Sequence, residues 1–169
     1  SLAETMTVSE DGKVYTFRIR QNVYFTDDEC FEGGKGRLLT AEDFKYSLEF
    51  ACSKHIMNEF SWLLVGKIQG AQEYFDGNAA SVSGIEVIDE NTLVITLVEP
   101  QATFLKVLTH SGLTVFPKEA LEFYGKDIYR NPVGTGAFKL EVWSDAMVRL
   151  VRNDNYWRSD ELGNPLPFL

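Results

Sequence analysis

The sequence predicts a mixed α/β (α+β) fold in which antiparallel β-hairpins interleave with packed helices. Three observations carry this. Tyr15, Phe17 and Ile19 alternate with Thr16, Arg18 and Arg20, the period-two pattern of a half-buried strand. Paired apolar runs flank polar turns at Asp89-Glu90-Asn91 and at Ser144-Asp145, as two further hairpins would. Between the first strand and these hairpins, Phe44, Leu48, Ala51 and Cys52 recur at helical spacing. Strands and helices are thus interleaved, which argues for much antiparallel pairing.

Taken in order, residues 1–8 lead into Ser9-Glu10-Asp11-Gly12, a turn of the Asp-Gly type, and 13–20 is the strand that follows. Val23 and Phe25 continue an extended path into a loop over 26–39 that holds Gly33, Gly34 and Gly36. Thr40 suits an N-cap, with Glu42 and Asp43 in the first turn where they complement the helix dipole. This opens a helix near 40–53, on which Tyr46 and Phe50 form a second apolar stripe, so the helix is expected to be covered on two sides. Residues 54–69 read as a short helix with irregular flanks, and Ala71 to Phe75 as another, ended by Gly77-Asn78. Ile85, Val87 and Ile88 pair through a turn with Leu93, Ile95 and Leu97, and Pro100 ends that hairpin. Two helices follow over 103–109 and 117–124, the second opened by Pro117. In Asn131-Pro132-Val133-Gly134-Thr135-Gly136, the proline fixes φ and disfavours helix at Asn131. Gly134 and Gly136 permit backbone angles that a side chain would forbid. The last hairpin spans 137–152, with Phe138, Leu140 and Val142 alternating against Lys139, Glu141 and Trp143. There is no internal repeat, low-complexity tract or flexible linker.

A length of 169 residues suits one domain with a sizeable core, or a domain with a piece of a neighbour. The formal net charge of −9, with no Lys/Arg cluster to offset it, repels phosphate backbones, so nucleic acid is not expected as a partner. No apolar run approaches the roughly 20 residues a membrane-spanning helix needs. The chain opens on Ser1-Leu2-Ala3-Glu4 and closes on Leu166-Pro167-Phe168-Leu169, which reads as a piece of a longer protein and leaves its compartment open. Of the two cysteines, Cys30 lies in the glycine-rich loop and Cys52 on the apolar side of a helix. A bridge between them is possible, but free thiols are the expectation.

Catalytic patterns are weak. Gly33-Gly34-Lys35-Gly36-Arg37 lacks the spacing of a phosphate loop and reads as a mobile surface loop. His55 and His110 stand in no zinc-ligand spacing, and no GxSxG elbow supplies a nucleophile. The carboxylates at Asp27-Asp28-Glu29, Glu42-Asp43, Asp89-Glu90 and Asp160-Glu161 sit at turns and a helix start, where caps and loop residues explain them better than a glycosidase pair does. No calcium loop is present, and no cofactor or metal is implied. Phe60, Trp62 and Tyr74 are aromatics able to face a ligand, although core packing is their ordinary role. Tyr156-Trp157 reads as a packing anchor.

Seven segments, in order, resemble the family 5 extracellular solute-binding proteins, the peptide, nickel and oligosaccharide receptors of bacterial ABC importers. Leu2-Ala3-Glu4 with Asp11-Gly12-Lys13 and Tyr15 to Arg20 is similar to the family's LAESW…DGKTYTFKLR. Val23 to Asp27 is similar to GVKFHDG, and Leu39 to Leu48 to LTAEDVVYSL. Ile85 to Asp89 with Leu93 to Pro100, Val115 to Lys118, Asn131 to Leu140 and Asn153 to Trp157 continue the series. Met6 replaces the usual Trp, Asp28 the usual Gly, and the loop at 28–38 is longer.

The resemblance implies part of a periplasmic-binding-protein-like type II fold. In it, 1–136 is a small subdomain inserted into the first of two lobes, with a strand of that lobe at its start. Residues 137–169 are then a hairpin and extended segment returning to the lobe. It implies capture of a small solute, foremost a peptide, by closure of the lobes and delivery to an ABC permease. The full protein would be monomeric and periplasmic or at the cell surface, with a lipid anchor as an option. Most ligand contacts would lie outside this chain, and Phe60 and Trp62 are the candidates within it. An enzyme such as a carbohydrate hydrolase, or a sensor on the same fold, are the other classes.

Overall fold

Every second residue of the strand Val14–Ile19 turns inward, and a four-stranded antiparallel sheet is built on it. The computed structural model describes residues 1–168, which divide into two compact units. The first comprises Ser1–Arg20 with Thr40–Val115, and the second Gln21–Leu39 with the chain from Phe116 onward. These units follow packing within this chain.

In the first unit, β1 (Ala3–Val8), β2 (Val14–Ile19), β3 (Ile85–Asp89) and β4 (Thr92–Thr96) pair in the order β1-β2-β4-β3. Tyr15 opposes Ile95 and Phe17 opposes Leu93, all four buried, so the two central strands share one apolar face. β1 is an edge strand and mostly exposed. Helix α1 (Ala41–Cys52) begins at the expected cap. The Thr40 side chain accepts from the Asp43 backbone N–H, and the Asp43 carboxylate accepts from the Thr40 backbone N–H at 2.9 Å. Ala41, Ser47, Leu48, Ala51 and Cys52 are buried, whereas Tyr46 and Phe50 are only half-buried, so the second stripe is partly open to solvent.

Residues 54–69 hold one short 3-10 helix, Ser61–Leu63, between irregular flanks. Asn58 is one cause of the irregular stretch before it. Its side chain accepts from the Phe60 backbone N–H and donates to the carbonyls of Ala51 and Ser53, which competes with helical pairing. α2 (Ala71–Phe75) follows, and α3 (Phe104–Val107) is a single turn whose fully buried Phe104 meets Tyr15 at 5.0 Å between ring centroids.

In the second unit, Val23 and Phe25 are buried, and Leu39 and Phe25 donate backbone hydrogen bonds to Val23 and Arg37, closing the loop between them. The end of the glycine-rich stretch, from Lys35 to Arg37, is tied back to the unit. Asp27 accepts from Lys35 Nζ at 2.7 Å and from the Gly36 backbone, while Arg37 forms a two-pronged pair with Glu119 at 2.6 and 2.8 Å. A Cβ at Gly36 would overlap the Phe25 carbonyl, so only glycine fits there. α4 (Lys118–Tyr124) runs into a 3-10 segment, Gly125–Arg130.

The last hairpin is β5 (Phe138–Trp143) with β6 (Val148–Arg152). Gly134 and Gly136 permit left-handed angles but do not take positive φ, and a side chain at Gly134 would meet nothing within 4 Å. The alternation expected for β5 is also broken. The register runs Leu140↔Leu150 and then Val142↔Arg149 and Trp143↔Val148, with an irregularity between Leu140 and Val142. That extra residue turns Trp143 onto the face of Phe138, Leu140, Val148 and Leu150, and puts Val142 on the other. The final extended segment is described through Phe168, and Leu169 lies outside the described residues. No helix among the described residues is long and apolar enough to cross a membrane.

Candidate functional site

The site is built from two loops of the first unit. Asn58 anchors the first to the end of α1 through the bonds described above, which sets where Phe60 and Trp62 leave the backbone. Lys67 braces the same loop, its Nζ donating to the carbonyls of Leu63 at 2.7 Å and Trp62 at 3.2 Å. The second loop carries His110 and Gly112. The His110 ring lies 5.3 Å from Phe60 and 6.3 Å from Trp62, tilted on the former and edge-on to the latter. Its Nδ1 accepts from the Gly112 backbone N–H at 3.0 Å. Gly112 lies flat against the Phe60 ring, where a Cβ would collide with it.

Of the two sequence candidates, Phe60 is half-buried and Trp62 is 65% exposed, so Trp62 is not the core residue its type suggests. The structure brings both to His110 but leaves Tyr74 elsewhere, half-buried, with its phenol pushed up by burial. Trp62, Leu63, Lys106, Val107, His110 and Ser111 border a shallow recess of about 520 Å³. Thr109, His110 and Ser111 also border a second, apolar recess of about 430 Å³ floored by Phe17, Ile19, Leu93 and Ile95 of the sheet. His110, Lys106 and Gly112 were not singled out as site residues, because nothing in their local sequence distinguishes them.

In the second unit, Tyr24, Tyr156 and Trp157 border a polar depression of about 480 Å³ with Asn22 and Asp154. Asn153 organises its rim. It is buried, its side chain donates to the Gly136 carbonyl at 2.8 Å and accepts from the Asn155 backbone, and its own N–H donates to Ala137. Tyr156 and Trp157 are half-buried with rings 5.6 Å apart.

Other polar groups have structural roles. Asp89 and Asp160 accept backbone bonds within their turns, and Asp28 accepts from the Tyr124 hydroxyl at 2.9 Å and the Cys30 backbone. Cys30 and Cys52 are free thiols, both pushed up to about 12, chiefly by burial, which makes them poor nucleophiles. Among the described residues, no group of three or more His, Cys, Asp or Glu could hold a metal.

The dipeptide-binding protein of Escherichia coli K12 is 33% identical over 165 residues, which is 92% of this chain and 29% of that protein. The glutathione-binding protein GsiB of Salmonella paratyphi A is 32% identical over 160 residues, 93% of this chain and 26% of its own. A periplasmic oligopeptide-binding protein from Borrelia burgdorferi superposes with a TM-score of 0.82 at 35% identity, over 95% of this chain and 31% of that one. DppA from Helicobacter pylori, solved with the peptide STSA, superposes with a TM-score of 0.72 at 27% identity, over 94% of this chain and 31% of that one. The chain therefore spans between a quarter and a third of the length of these relatives. The fold is that of the type II periplasmic binding proteins, mixed α/β with antiparallel sheets. The family model that matches residues 1–166 is described as bacterial extracellular solute-binding proteins, family 5 Middle, and the chain belongs to that family.

Proposed function

We propose that this chain is part of an extracytoplasmic receptor that captures peptides and delivers them to an ABC permease. The observation that carries the reading is family membership over 166 of 169 residues, alongside relatives named for dipeptide, oligopeptide and glutathione binding. Two lobes closing on the solute would do the work, with this chain supplying one wall. Phe60 and Trp62 are the groups of this chain that contact the ligand. Their support is the exposure of Trp62 and its setting beside His110 above a recess. The protein binds without turning over its ligand, acts as a monomer outside the cytoplasmic membrane, and uses no cofactor.

Residues 1–136 form the subdomain inserted into the first lobe, and 137–169 return to it. The exposed apolar face of the last hairpin supports this, since Trp143, Val148 and Leu150 are 48%, 57% and 57% exposed on one side of a two-stranded ribbon. The test is native mass spectrometry of the complete protein purified from cells. A heterogeneous set of bound peptide masses is expected, and a single non-peptide mass would overturn the peptide assignment.

A further inference from the structure

The recess beside Trp62 offers hydrogen-bond donors. Among the described residues neither Asp nor Glu borders it, although the whole chain carries a net charge of −9. Lys106 is exposed at its rim and makes no ion pair among the described residues. Nδ1 of His110 accepts from Gly112, which leaves Nε2 as the ring's donor. Lys67 adds a second positive charge 5.9 Å from the Trp62 ring, its Nζ held there by two backbone carbonyls. Lys67 itself does not line the recess, whereas Trp62, Leu63 and Val107 supply apolar lining beside Lys106 and His110.

We propose that this recess recognises a carboxylate carried on an apolar stem, and that Lys106 is a specificity-determining residue favouring acidic ligands. The inference rests on the peptide-receptor reading and adds the chemistry that this wall of the cleft selects. The carboxylate comes either from a Glu side chain of the peptide or from its free C-terminus, and both present the same two acceptor oxygens to Lys106 and His110. The interaction sits at an exposed rim, so it acts as a modest preference and not as the main source of affinity.

Calorimetry on the complete protein tests it, with Glu-Ala-Ala, Ala-Glu-Ala and Ala-Ala-Glu, the matching Gln peptides, and Ala-Ala-Ala with a free or amidated C-terminus. The wild type is expected to bind one Glu peptide, or the free-acid form of Ala-Ala-Ala, about two- to fivefold more tightly than its neutral partner at low salt. Lys106→Ala should abolish that ratio with little change for the neutral peptide, and Lys106→Arg should keep it. Loss of the Glu-over-Gln ratio identifies a side-chain carboxylate, and loss of the acid-over-amide ratio identifies the terminus. Unchanged ratios in Lys106→Ala, with peptides still binding, overturn this inference and leave the peptide receptor standing. Failure of every peptide to bind the wild type overturns both.

Discussion

At Gly112, one added methyl group would displace the aromatic wall. Gly112→Ala should push the Phe60 ring off its place and lower stability by about 1–3 kcal/mol, as overpacking of a close contact does. The denaturant midpoint would record it, and an unchanged midpoint would mean the loop shifts at no cost. Glu119 makes a second residue-level case. The Arg37 guanidinium holds its carboxyl below the ordinary 4.5, with burial opposing. A carboxyl depressed in the folded state contributes stability above its unfolded pKa and loses it as pH falls through the folded value. Stability should therefore be full above about pH 4.5 and decline below it, and Glu119→Gln should flatten that acid limb. The pair is about a third exposed, so solvent screening keeps the effect to roughly 0.5–1 kcal/mol. Thermal unfolding from pH 6 to pH 3 would show whether the two curves converge in acid.

Among the elements, α1 and the last hairpin show opposite kinds of control. The helix start is local chemistry, since Thr40 and Asp43 satisfy each other's backbone within four residues. Thr40→Ala is expected to cost about 1 kcal/mol, read from urea denaturation. In the hairpin, the residue pattern places Trp143 with Lys139 and Glu141, but the bulge moves it to the face of Phe138 and Leu140. Glu141, the extra residue of the bulge, meets Arg149 across the ribbon in an ion pair. If the apolar face packs on the first lobe, Leu150→Asp should destabilise the complete protein by about 1–3 kcal/mol and the 169-residue chain hardly at all. Equal effects in both would place the face in solvent in the whole receptor.

For the whole molecule, size sets the expectation. This chain spans between a quarter and a third of its relatives, so most of a closed cleft would come from other residues. The isolated chain should fold, since each unit has its own buried apolar residues, but bind peptides weakly or not at all. Cooperative melting of the isolated chain, without a shift in a peptide library, is the expected result. A clear shift with one peptide class would show that this wall alone makes a sufficient site.

Strand alternation in Tyr15 to Ile19, the Thr40 cap, the turn at Asp89 and the order of family motifs were all legible in the sequence, because each is written in residues a few positions apart. Phe60 and Trp62 were legible as candidates, but not their meeting with His110 some fifty residues later, nor the need for glycine at 112. Asn153 was visible within a motif, while its buried bonds to Gly136 and Asn155 were not. The bulge that re-aims Trp143 escaped for a related reason. Periodicity reports which side of an element faces apolar surroundings. Close approach, side-chain competition for backbone groups and register shifts depend on neighbours distant in sequence, and only the tertiary structure decides them.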